Sequence, residues 1–472
     1  MRRLSENQKL IASAFTQTIM NKRNAIIYHS LFGNPNIITL PTLKLFKIFH
    51  RAYSLADVRR NFDIEGLNEA IQILIDGFFL NPEGFDERGF LHRLMQRYKK
   101  EVRNGHLINF LSLVVSEACN FSCSYCFLNK KLIDDDFSNQ RYKLMDFKTA
   151  QKAVDIFFEL MKEHNKQDVT INFGGGEPLL NFKTILQILS YVKRKYSGQY
   201  NITFVLNTNC SKITERIASI LKQYKVSIAA SLDGLKPGND AVRIYRDGKG
   251  TFDDILKGWR MLKKIGALPD GFMVTVNQAN FHLIDERLID FVSANRMKDV
   301  RIDIDVIHQI DIPIEDVACK LLALRRYAAK LGITVNGFWD RPLENIFNLS
   351  LEKFTAFCGG IRGNSFVINP QGEVCLCGYS SETLGNIFIN SPGEIFGPKS
   401  KYYQIVCSRM LGEILNCKGC AIEGQCVGGC YVAFETDGRE KSGIVARNCD
   451  LYRIMTRELL KDTISIQQKG GD

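Results

Sequence analysis

Between residues 106 and 335, short apolar runs alternate with longer amphipathic stretches. Six runs rich in β-branched and aromatic residues predict strands, beginning near positions 107, 169, 201, 226, 271 and 300. The stretches between them, such as FKTAQKAVDIFFELMKEH and FDDILKGWRMLKKIG, repeat apolar residues at helical spacing. This alternation predicts an α/β fold with a parallel sheet, either an open doubly wound sheet or a partial barrel. Chemistry is then expected where the strands end, at the carboxyl edge of the sheet.

The two ends of the chain follow other patterns. Within residues 1–105, AIIYHSLFGNPNIITLP predicts a β-hairpin. TLKLFKIFHRA, SLADVRRNF and LNEAIQILIDGFFL predict three short helices, followed by a strand-like tail. This combination predicts a small winged-helix-like domain. Residues 336–472 hold most of the cysteines, together with many glycines, and predict short elements.

Composition narrows the class of protein. A chain of 472 residues with 45% hydrophobic and 24% charged residues predicts two or three soluble domains. The net charge of +11 is too small for this length to indicate a dedicated nucleic-acid binder. No apolar signal core follows MRRLSENQKL and no run approaches a membrane span, so we expect a cytoplasmic protein without membrane contact. In that compartment the 14 cysteines are expected to bind metal or clusters rather than form disulfides.

Three cysteines follow the first predicted strand. Cys119, Cys123 and Cys126 lie in ACNFSCSYCF with the spacing C-x3-C-x2-C. A zinc site or buried free thiols are possible, but a [4Fe-4S] cluster held by three cysteines would keep one iron open for an external ligand. GGGEP, residues 174–178, follows the second strand. Its glycines permit close backbone approach to a small ligand, and Glu177 can accept hydrogen bonds from an amino group.

These motifs resemble the radical S-adenosylmethionine superfamily. The resemblance implies a partial (β/α)6 TIM-like barrel in which Cys119, Cys123 and Cys126 hold the catalytic [4Fe-4S] cluster. Its open iron would bind S-adenosylmethionine, whose cleavage gives a radical that abstracts hydrogen from an unactivated C–H bond. The resemblance also implies the contacts to S-adenosylmethionine: Tyr125 at the adenine, Gly175, Gly176 and Glu177 at the amino group, Ser231 and Arg243 at the carboxylate, and Asn209 near the ribose.

A second group of cysteines lies after residue 357. One zinc ribbon from Cys417 to Cys430 would use part of it, but seven or more cysteines suit two clusters. Their order resembles the SPASM domain, which carries two auxiliary [4Fe-4S] clusters and would bring the total to three. The resemblance assigns Cys358, Cys377 and Cys430 to auxiliary cluster I, and Cys417, Cys420, Cys426 and Cys449 to auxiliary cluster II.

The chain departs from the sulfatase-maturing members of that family at two positions. Those enzymes have a fourth ligand of auxiliary cluster I where this chain has GGIRGN, so either Cys375 substitutes or one iron stays open. They also place a general-base aspartate where this chain has Gly378. Three further cysteines have no clear partners and are expected to be buried thiols: Cys210, Cys319 and Cys407.

The N-terminal segment resembles the PqqD-like recognition element of peptide-modifying enzymes. That resemblance implies that a precursor's leader peptide binds here by adding a strand to a small sheet. Basic residues in this segment would suit an acidic leader, or would simply be solvated: Arg51, Arg59, Arg60, Arg93, Arg97, Lys99 and Lys100.

Taken together, the three parts predict an oxidoreductase that matures a ribosomally made peptide by installing a cross-link, either a thioether or a cyclophane or ether. We expect a flavodoxin-like or ferredoxin-like electron donor and no nucleic-acid partner. The enzyme alternatives are formylglycine formation in a sulfatase, disfavoured by Gly378, and peptide epimerisation, for which Cys210 is the hydrogen-donor candidate. A DNA-binding iron–sulfur regulator is the remaining alternative, but it leaves GGGEP and SLDG unexplained.

Overall fold

The computed structural model describes residues 5–20, 23–62, 66–128, 143–347, 356–438 and 443–467, with side chains up to residue 463. The strands in these ranges are β1 (Lys9–Ala12), β2 (Thr16–Met20), β3 (Asn24–His29), β4 (Gly33–Thr39), β5 (Tyr53–Ser54), β6 (Leu80–Pro82), β7 (Phe110–Ser116), β8 (Asp168–Gly175), β9 (Asn201–Thr208), β10 (Ser227–Ser231), β11 (Gly271–Val276), β12 (Asp299–Ile304), β13 (Thr334–Asn336), β14 (Ser365–Ile368), β15 (Glu373–Cys375) and β16 (Thr383–Asn386).

The helices in the same ranges are α1 (Leu40–Ile48), α2 (Leu55–Asn61), α3 (Leu67–Asp76), α4 (Glu87–Val102), α5 (Phe147–Glu163), α6 (Phe182–Tyr196), α7 (Glu215–Gln223), α8 (Lys236–Asp240), α9 (Phe252–Ile265), α10 (Glu286–Ala294), α11 (Ile314–Lys330), α12 (Arg341–Phe347), α13 (Gly359–Arg362), α14 (Pro392–Phe396), α15 (Lys401–Ser408), α16 (Glu423–Cys426), α17 (Tyr431–Thr436) and α18 (Gly443–Gln467). Short 3-10 helices lie at Arg103–Gly105, Pro178–Asn181, Phe281–Leu283 and Leu415–Cys417.

A ten-stranded sheet forms the centre of the molecule, in the order β13-β12-β11-β10-β9-β8-β7-β14-β15-β16. The strands from β13 to β14 pair in parallel, and β15 and β16 extend that edge antiparallel. The six predicted strands are β7 to β12, so the predicted α/β fold and its partial TIM-like barrel are confirmed. The cysteine-rich C-terminal part adds β14 directly beside β7, an extension that the sequence pattern did not reveal.

Local sequence explains why these elements form. Along β11, Phe272, Val274 and Val276 are buried and the residues between them are partly exposed, as a strand with two different faces requires. The helix α5 begins after Asp146, whose carboxylate accepts a hydrogen bond from the backbone N–H of Thr149. Because β7 to β10 are parallel, the segments that follow them all lie at one edge of the sheet.

The N-terminal part contains two small sheets. The predicted hairpin is β3 and β4, to which β2 adds a third antiparallel strand, and α1, α2 and α3 follow as predicted. The strand-like tail is β6, which pairs with β1 in the order β5-β1-β6. An apolar cluster of its own, including Ile27 and Leu74, supports this part. Other side chains, such as Ile26, instead belong to the main core, so this part is packed against the rest of the molecule.

Within the residues that the structure describes, no helix combines the length and the apolar character needed to span a bilayer.

Candidate active site and auxiliary cysteine sites

The three-cysteine loop lies at the carboxyl end of β7. Backbone N–H groups of Ser122 and Ser124 donate to the carbonyls of Ile244 at 2.7 Å and Val242 at 2.9 Å. These bonds attach the cysteine loop to the segment that carries Arg243. Burial raises the pKa of Cys119 to about 12, and burial also raises the pKa of Cys123 to about 11.

The three sulfurs lie near one another but do not converge on one point. The charges of Cys123 and Cys126 both contribute to the raised pKa of Cys119. Among the described residues, no three His, Cys, Asp or Glu side chains are close enough together to hold a single metal ion. In a four-iron cluster each cysteine binds a different iron, so its ligands must stand apart. The role of Cys119, Cys123 and Cys126 as ligands of such a cluster stays a prediction.

The glycines of GGGEP bring the end of β8 against this loop. A Cβ atom at residue 175, where φ is +119°, would lie 2.2 Å from the carbonyl oxygen of Ser116. A Cβ atom at residue 176 would lie 2.4 Å from the carbonyl oxygen of Ala118. Side chains at these positions would separate the two strand ends, so glycine is needed for the packing of the site itself.

Glu177 is fully buried and joins the ends of two strands. One carboxylate oxygen accepts from the N–H of Leu179 and the hydroxyl of Thr208, and the other accepts from the N–H of Asn209 at 2.8 Å. Burial raises the pKa of Glu177, and these hydrogen bonds oppose that effect. The second oxygen retains acceptor capacity, as binding of an amino group requires.

Asn209 lies beside the first cysteine. Its amide nitrogen is 3.9 Å from the Cys119 sulfur and 3.2 Å from the side-chain oxygen of Asn120. The structure thus brings Asn209, Glu177 and Cys119 into one group. Ser231 ends β10 at the same edge of the sheet, with a partly exposed side chain.

Asp233, which the sequence analysis did not single out, completes a buried group with Tyr125 and Arg243. The Tyr125 hydroxyl donates to Asp233 at 2.5 Å, and Arg243 donates to the Tyr125 oxygen and to Asp233, the latter at 3.3 Å. Asp233 also accepts the backbone N–H of Thr275 at 2.7 Å. The SLDG motif contained this carboxylate, but nothing in the sequence indicated that it faces Arg243.

Arg243 retains an unused donor. Its Nε atom is buried, and within the described part of the chain it has no hydrogen-bond partner. A buried N–H group without a partner is costly, and a carboxylate ligand would satisfy it. The buried donor of Arg243 therefore fits a ligand that carries a carboxylate, as S-adenosylmethionine does. The roles of Arg243 and Ser231 at that carboxylate stay a prediction.

The first auxiliary site contains Cys358, Cys377 and Cys430. Burial raises the pKa of Cys377, and the charges of Cys358 and Cys430 raise it further. Cys375 ends β15, and its sulfur lies 3.9 Å from the carbonyl oxygen of Glu373. Its service as a fourth ligand stays a prediction.

The second auxiliary site contains the other four cysteines. The pKa of Cys426 is raised first by burial and then by the charges of Cys449, Cys417 and Cys420. Cys449 comes from α18, whereas the others lie between residues 417 and 426. The structure therefore groups the seven cysteines into the two sets that the resemblance implied, and their role as cluster ligands stays a prediction.

Tyr379, which the sequence analysis did not single out, lies two residues after Cys377. Its side chain is 57% exposed, yet desolvation is the main cause that raises its pKa. The two observations agree if the ring projects into an enclosed space rather than to the outer surface. The charges of Cys126 and Cys377 raise the same pKa, so the phenol lies within electrostatic range of the first site and the first auxiliary site.

A cavity of about 610 Å³ lies nearer the amino ends of β10, β11 and β12. Its lining includes Met273, Asp299 and Arg301, and Arg301 also influences Tyr379. The cysteine motifs lie at the opposite edge of these strands, so this cavity does not contain the site.

The remaining cysteines differ in their surroundings. Cys210 is fully buried and Cys407 is half-buried, whereas Cys319 is exposed on α11, so its predicted burial is wrong. A helix leaves one face open to solvent, and the spacing around Cys319 did not distinguish that face.

Comparisons with known proteins agree with this geometry. Residues 113–290 match the profile of the radical SAM superfamily. The chain is 25% identical over 467 residues to the radical SAM cyclopropyl synthase TigE of Paramaledivibacter caminithermalis, which covers 96% of each chain. It is 32% identical over 295 residues to an uncharacterised protein of Methanocaldococcus jannaschii, which covers 62% of this chain and 92% of that protein.

Two solved structures share the fold. Native anSMEcpe with bound AdoMet and the Cp18Cys peptide superposes with a TM-score of 0.61 at 21% identity, covering 76% of this chain and 99% of that one. Streptococcus suis SuiB bound to the precursor peptide SuiA superposes with a TM-score of 0.51 at 18% identity, covering 92% of this chain and 98% of that one.

Proposed function

Because this chain belongs to the radical S-adenosylmethionine superfamily, we propose that it is a peptide maturase that closes a bond at an unactivated carbon of a ribosomally made precursor. The full-length similarity to a protein named cyclopropyl synthase supports oxidative ring closure. The similarity in fold to a protein bound to its precursor peptide supports a peptide substrate.

One observation carries the proposal. The cysteine-rich part joins the central sheet beside the strand that leads into Cys119, because β14 pairs with β7, and Tyr379 lies within electrostatic range of both Cys126 and Cys377. When bound, S-adenosylmethionine and the clusters would supply a hydrogen-abstracting radical and an acceptor for one electron. Closing a bond at a carbon radical releases one proton and one electron, so the substrate loses two hydrogens in total. Ring closure therefore requires an electron acceptor, and the first auxiliary cysteine set is its proposed place.

The residues of the first site have separate roles in this proposal. Cys119, Cys123 and Cys126 hold the catalytic cluster, and Glu177 accepts from the amino group of S-adenosylmethionine. Arg243 pairs with its carboxylate, while Asp233 and Tyr125 keep the guanidinium in place. Burial of Asp233 excludes water from this ion pair, which strengthens it.

The new bond is a thioether, a cyclophane or ether, or a cyclopropane. The first two follow from the resemblance to peptide maturases, and the third follows from the relative TigE. All of them remove two hydrogens from the peptide, so one mass measurement tests the shared proposal before the bond is identified.

The N-terminal part is proposed to bind the leader peptide of the precursor. The meander β2-β3-β4 has two edge strands, and an edge strand can accept an added strand. Some of the basic residues in this part already form ion pairs within the protein: Arg59 pairs with Glu6, and Lys99 pairs with Glu413 at 2.6 Å. A flavodoxin-like or ferredoxin-like protein is proposed as the electron donor.

Formylglycine formation is a weaker second candidate. Gly378 supplies no general base, although a Cβ atom there would meet nothing within 4 Å. Epimerisation is also weaker, because Cys210 is fully buried and cannot donate hydrogen to a substrate radical without a rearrangement. The clustered cysteines and the fit to S-adenosylmethionine likewise disfavour a DNA-binding regulator.

The test is co-expression with the short open reading frame beside the gene, followed by tandem mass spectrometry of the peptide. We expect a loss of two hydrogens per modification and formation of 5′-deoxyadenosine. Cys123→Ala should abolish both, whereas Cys319→Ala, which changes an exposed cysteine on α11, should keep both. An unmodified peptide mass with wild-type enzyme would refute ring closure, and 5′-deoxyadenosine formation by Cys123→Ala would refute the radical assignment.

A further inference from the structure

The turn between β3 and β4 lies directly against the second auxiliary site. The N–H of Gly424 donates to the carbonyl of Ser30 at 2.8 Å. A Cβ atom at residue 424 would lie 1.9 Å from the carbonyl oxygen of Leu31, so only glycine permits this approach. Residue 424 lies between Cys420 and Cys426, which makes the N-terminal turn part of the wall of that site.

The neighbouring amide of Gln425 strengthens the same contact. In the orientation that satisfies both ends of the amide, its nitrogen donates to the Ser30 carbonyl at 3.0 Å. Its oxygen then accepts the N–H of Gly33 at 3.1 Å. Gln425 is fully buried, so these bonds face no competition from water.

A charged pair links α4 to the cysteine segment. Arg88 makes two hydrogen bonds to the carboxylate of Glu423, one of them between Nη2 and Oε2 at 2.8 Å. Glu423 is 2% exposed, and its Oε2 atom also accepts the N–H of Gly419 at 2.9 Å. Gly419 lies between Cys417 and Cys420, so a continuous chain of bonds runs from Arg88 to the C-x2-C segment.

The N-terminal side of this contact is itself held in place. The Nδ1 atom of His29 accepts the N–H groups of Leu31 and Phe32, which leaves the proton on Nε2 to donate to Glu87 at 2.9 Å. Ser13 donates to the same Glu87 oxygen at 2.6 Å. The turn therefore has little freedom to move away from Gly424.

We propose that the N-terminal part is a structural component of the second auxiliary site, with Arg88 and Glu423 as its positioning residues. The inference rests on the cluster assignment within the proposed function. A buried carboxylate next to a cluster disfavours its reduction, and the guanidinium of Arg88 offsets that charge. Arg88 therefore has two roles. Through Glu423 it fixes the C-x2-C segment, and its positive charge raises the reduction potential of the cluster that this segment holds.

The experiment isolates the auxiliary clusters in the full-length chain. Cys119→Ala, Cys123→Ala and Cys126→Ala together remove the first cluster, which leaves about eight iron atoms per chain if both auxiliary sites fill. Redox titration followed by electron paramagnetic resonance then gives the midpoint potentials. The signal that disappears on adding Cys449→Ala belongs to the second auxiliary site. Neither a precursor peptide nor S-adenosylmethionine is needed, so failure here is distinct from failure of the peptide assignment.

Removing the positive charge and removing the negative charge of this pair should shift the midpoint potential of that cluster in opposite directions. Arg88→Met leaves Glu423 uncompensated and should make the potential more negative, whereas Glu423→Gln should make it less negative. The double variant should return near the starting value. If Arg88 and Glu423 acted only on the packing of the segment, the two variants would shift the midpoint potential in the same direction or not at all.

Two control variants address folding. Arg88→Lys keeps the charge and should hold the potential near that of the parent. Lys99→Met removes a second ion pair between the same two parts, whose partner Glu413 is 33% exposed and screened by water. It should keep the iron count and both potentials. Selective loss of about four iron atoms in Arg88→Met would also support the proposal. Unchanged potentials, shifts of the same sign, or equal iron loss in Arg88→Met and Lys99→Met would overturn it.

Discussion

The glycines of GGGEP offer a sharp test of the first site, because neighbouring positions in one run have very different space around them. A Cβ atom at residue 176 would lie 2.4 Å from the Ala118 carbonyl oxygen and 3.2 Å from the Cβ of Cys119. A Cβ atom at residue 174 would meet only side-chain amides, the nearer at 3.3 Å. Gly176→Ala should therefore disturb the cysteine loop, whereas Gly174→Ala should not.

The magnitude follows from these distances. Ordinary contact begins at 3.4 Å, so Gly176→Ala must move the residues beside Cys119 by about 1 Å. Metal–ligand distances tolerate only about 0.2 Å, so a shift of this size is large for a cluster ligand. Overpacking costs about 1–3 kcal/mol, which a domain of this size can bear without unfolding.

The assay is iron per chain after anaerobic reconstitution, together with 5′-deoxyadenosine formed with dithionite as reductant. We expect Gly176→Ala to hold about four iron atoms fewer than Gly174→Ala and to form little 5′-deoxyadenosine. Thermal unfolding of the apoproteins should show that both variants are folded. Equal iron content and equal cleavage in the two variants would refute the packing argument.

Further predictions concern other residues of the site. Asp233→Asn should weaken S-adenosylmethionine binding by about tenfold or more, because the substitution removes the charge that pairs with the buried Arg243. Isothermal titration calorimetry would measure the affinity, and an unchanged affinity would contradict this role of Asp233. Tyr379→Ala should lower the ratio of cross-linked peptide to 5′-deoxyadenosine, because Tyr379 lies within electrostatic range of both cysteine sites; Tyr327→Phe is a surface control, and an unchanged ratio would contradict a role for Tyr379. The unaltered enzyme should form no formylglycine in a sulfatase peptide, because Gly378 supplies no general base, and mass spectrometry that detects formylglycine there would revive the sulfatase candidate. Cluster reconstitution should become more favourable as pH rises, since the raised pKa values of Cys119 and Cys123 mean that iron must displace protons; iron uptake that is independent of pH would oppose this.

The sequence was informative where the signal is local. Short apolar runs rich in β-branched and aromatic residues placed β7 to β12 within a few residues of their observed positions, because such runs are a property of neighbouring positions. The same local logic placed the hairpin β3–β4 and the helices α1 to α3. The sequence pattern missed β1 and β2. It also did not show that β14 would pair with β7, because the periodicity of a strand does not specify its neighbour in the sheet.

At the first site, too, local motifs were predicted from the sequence and long-range contacts were not. Motif spacing and family resemblance identified Cys119, Cys123 and Cys126, and the order of motifs along the strands placed Glu177 and Asn209 nearby. Asp233 and Tyr379 were missed. An aspartate after a strand and a tyrosine after a cysteine are common, and only the fold shows what they face.

The sequence by itself determined the alternation of strands and helices in the central part, its parallel sheet and the cysteine motifs, because each depends on short-range pattern. The tertiary structure alone decided that β14 pairs with β7, and that an N-terminal turn lies against the loop between Cys420 and Cys426. These contacts join residues up to about 400 positions apart, such as Ser30 and Gly424. They arise from packing of whole elements around a shared core, which local pattern does not encode.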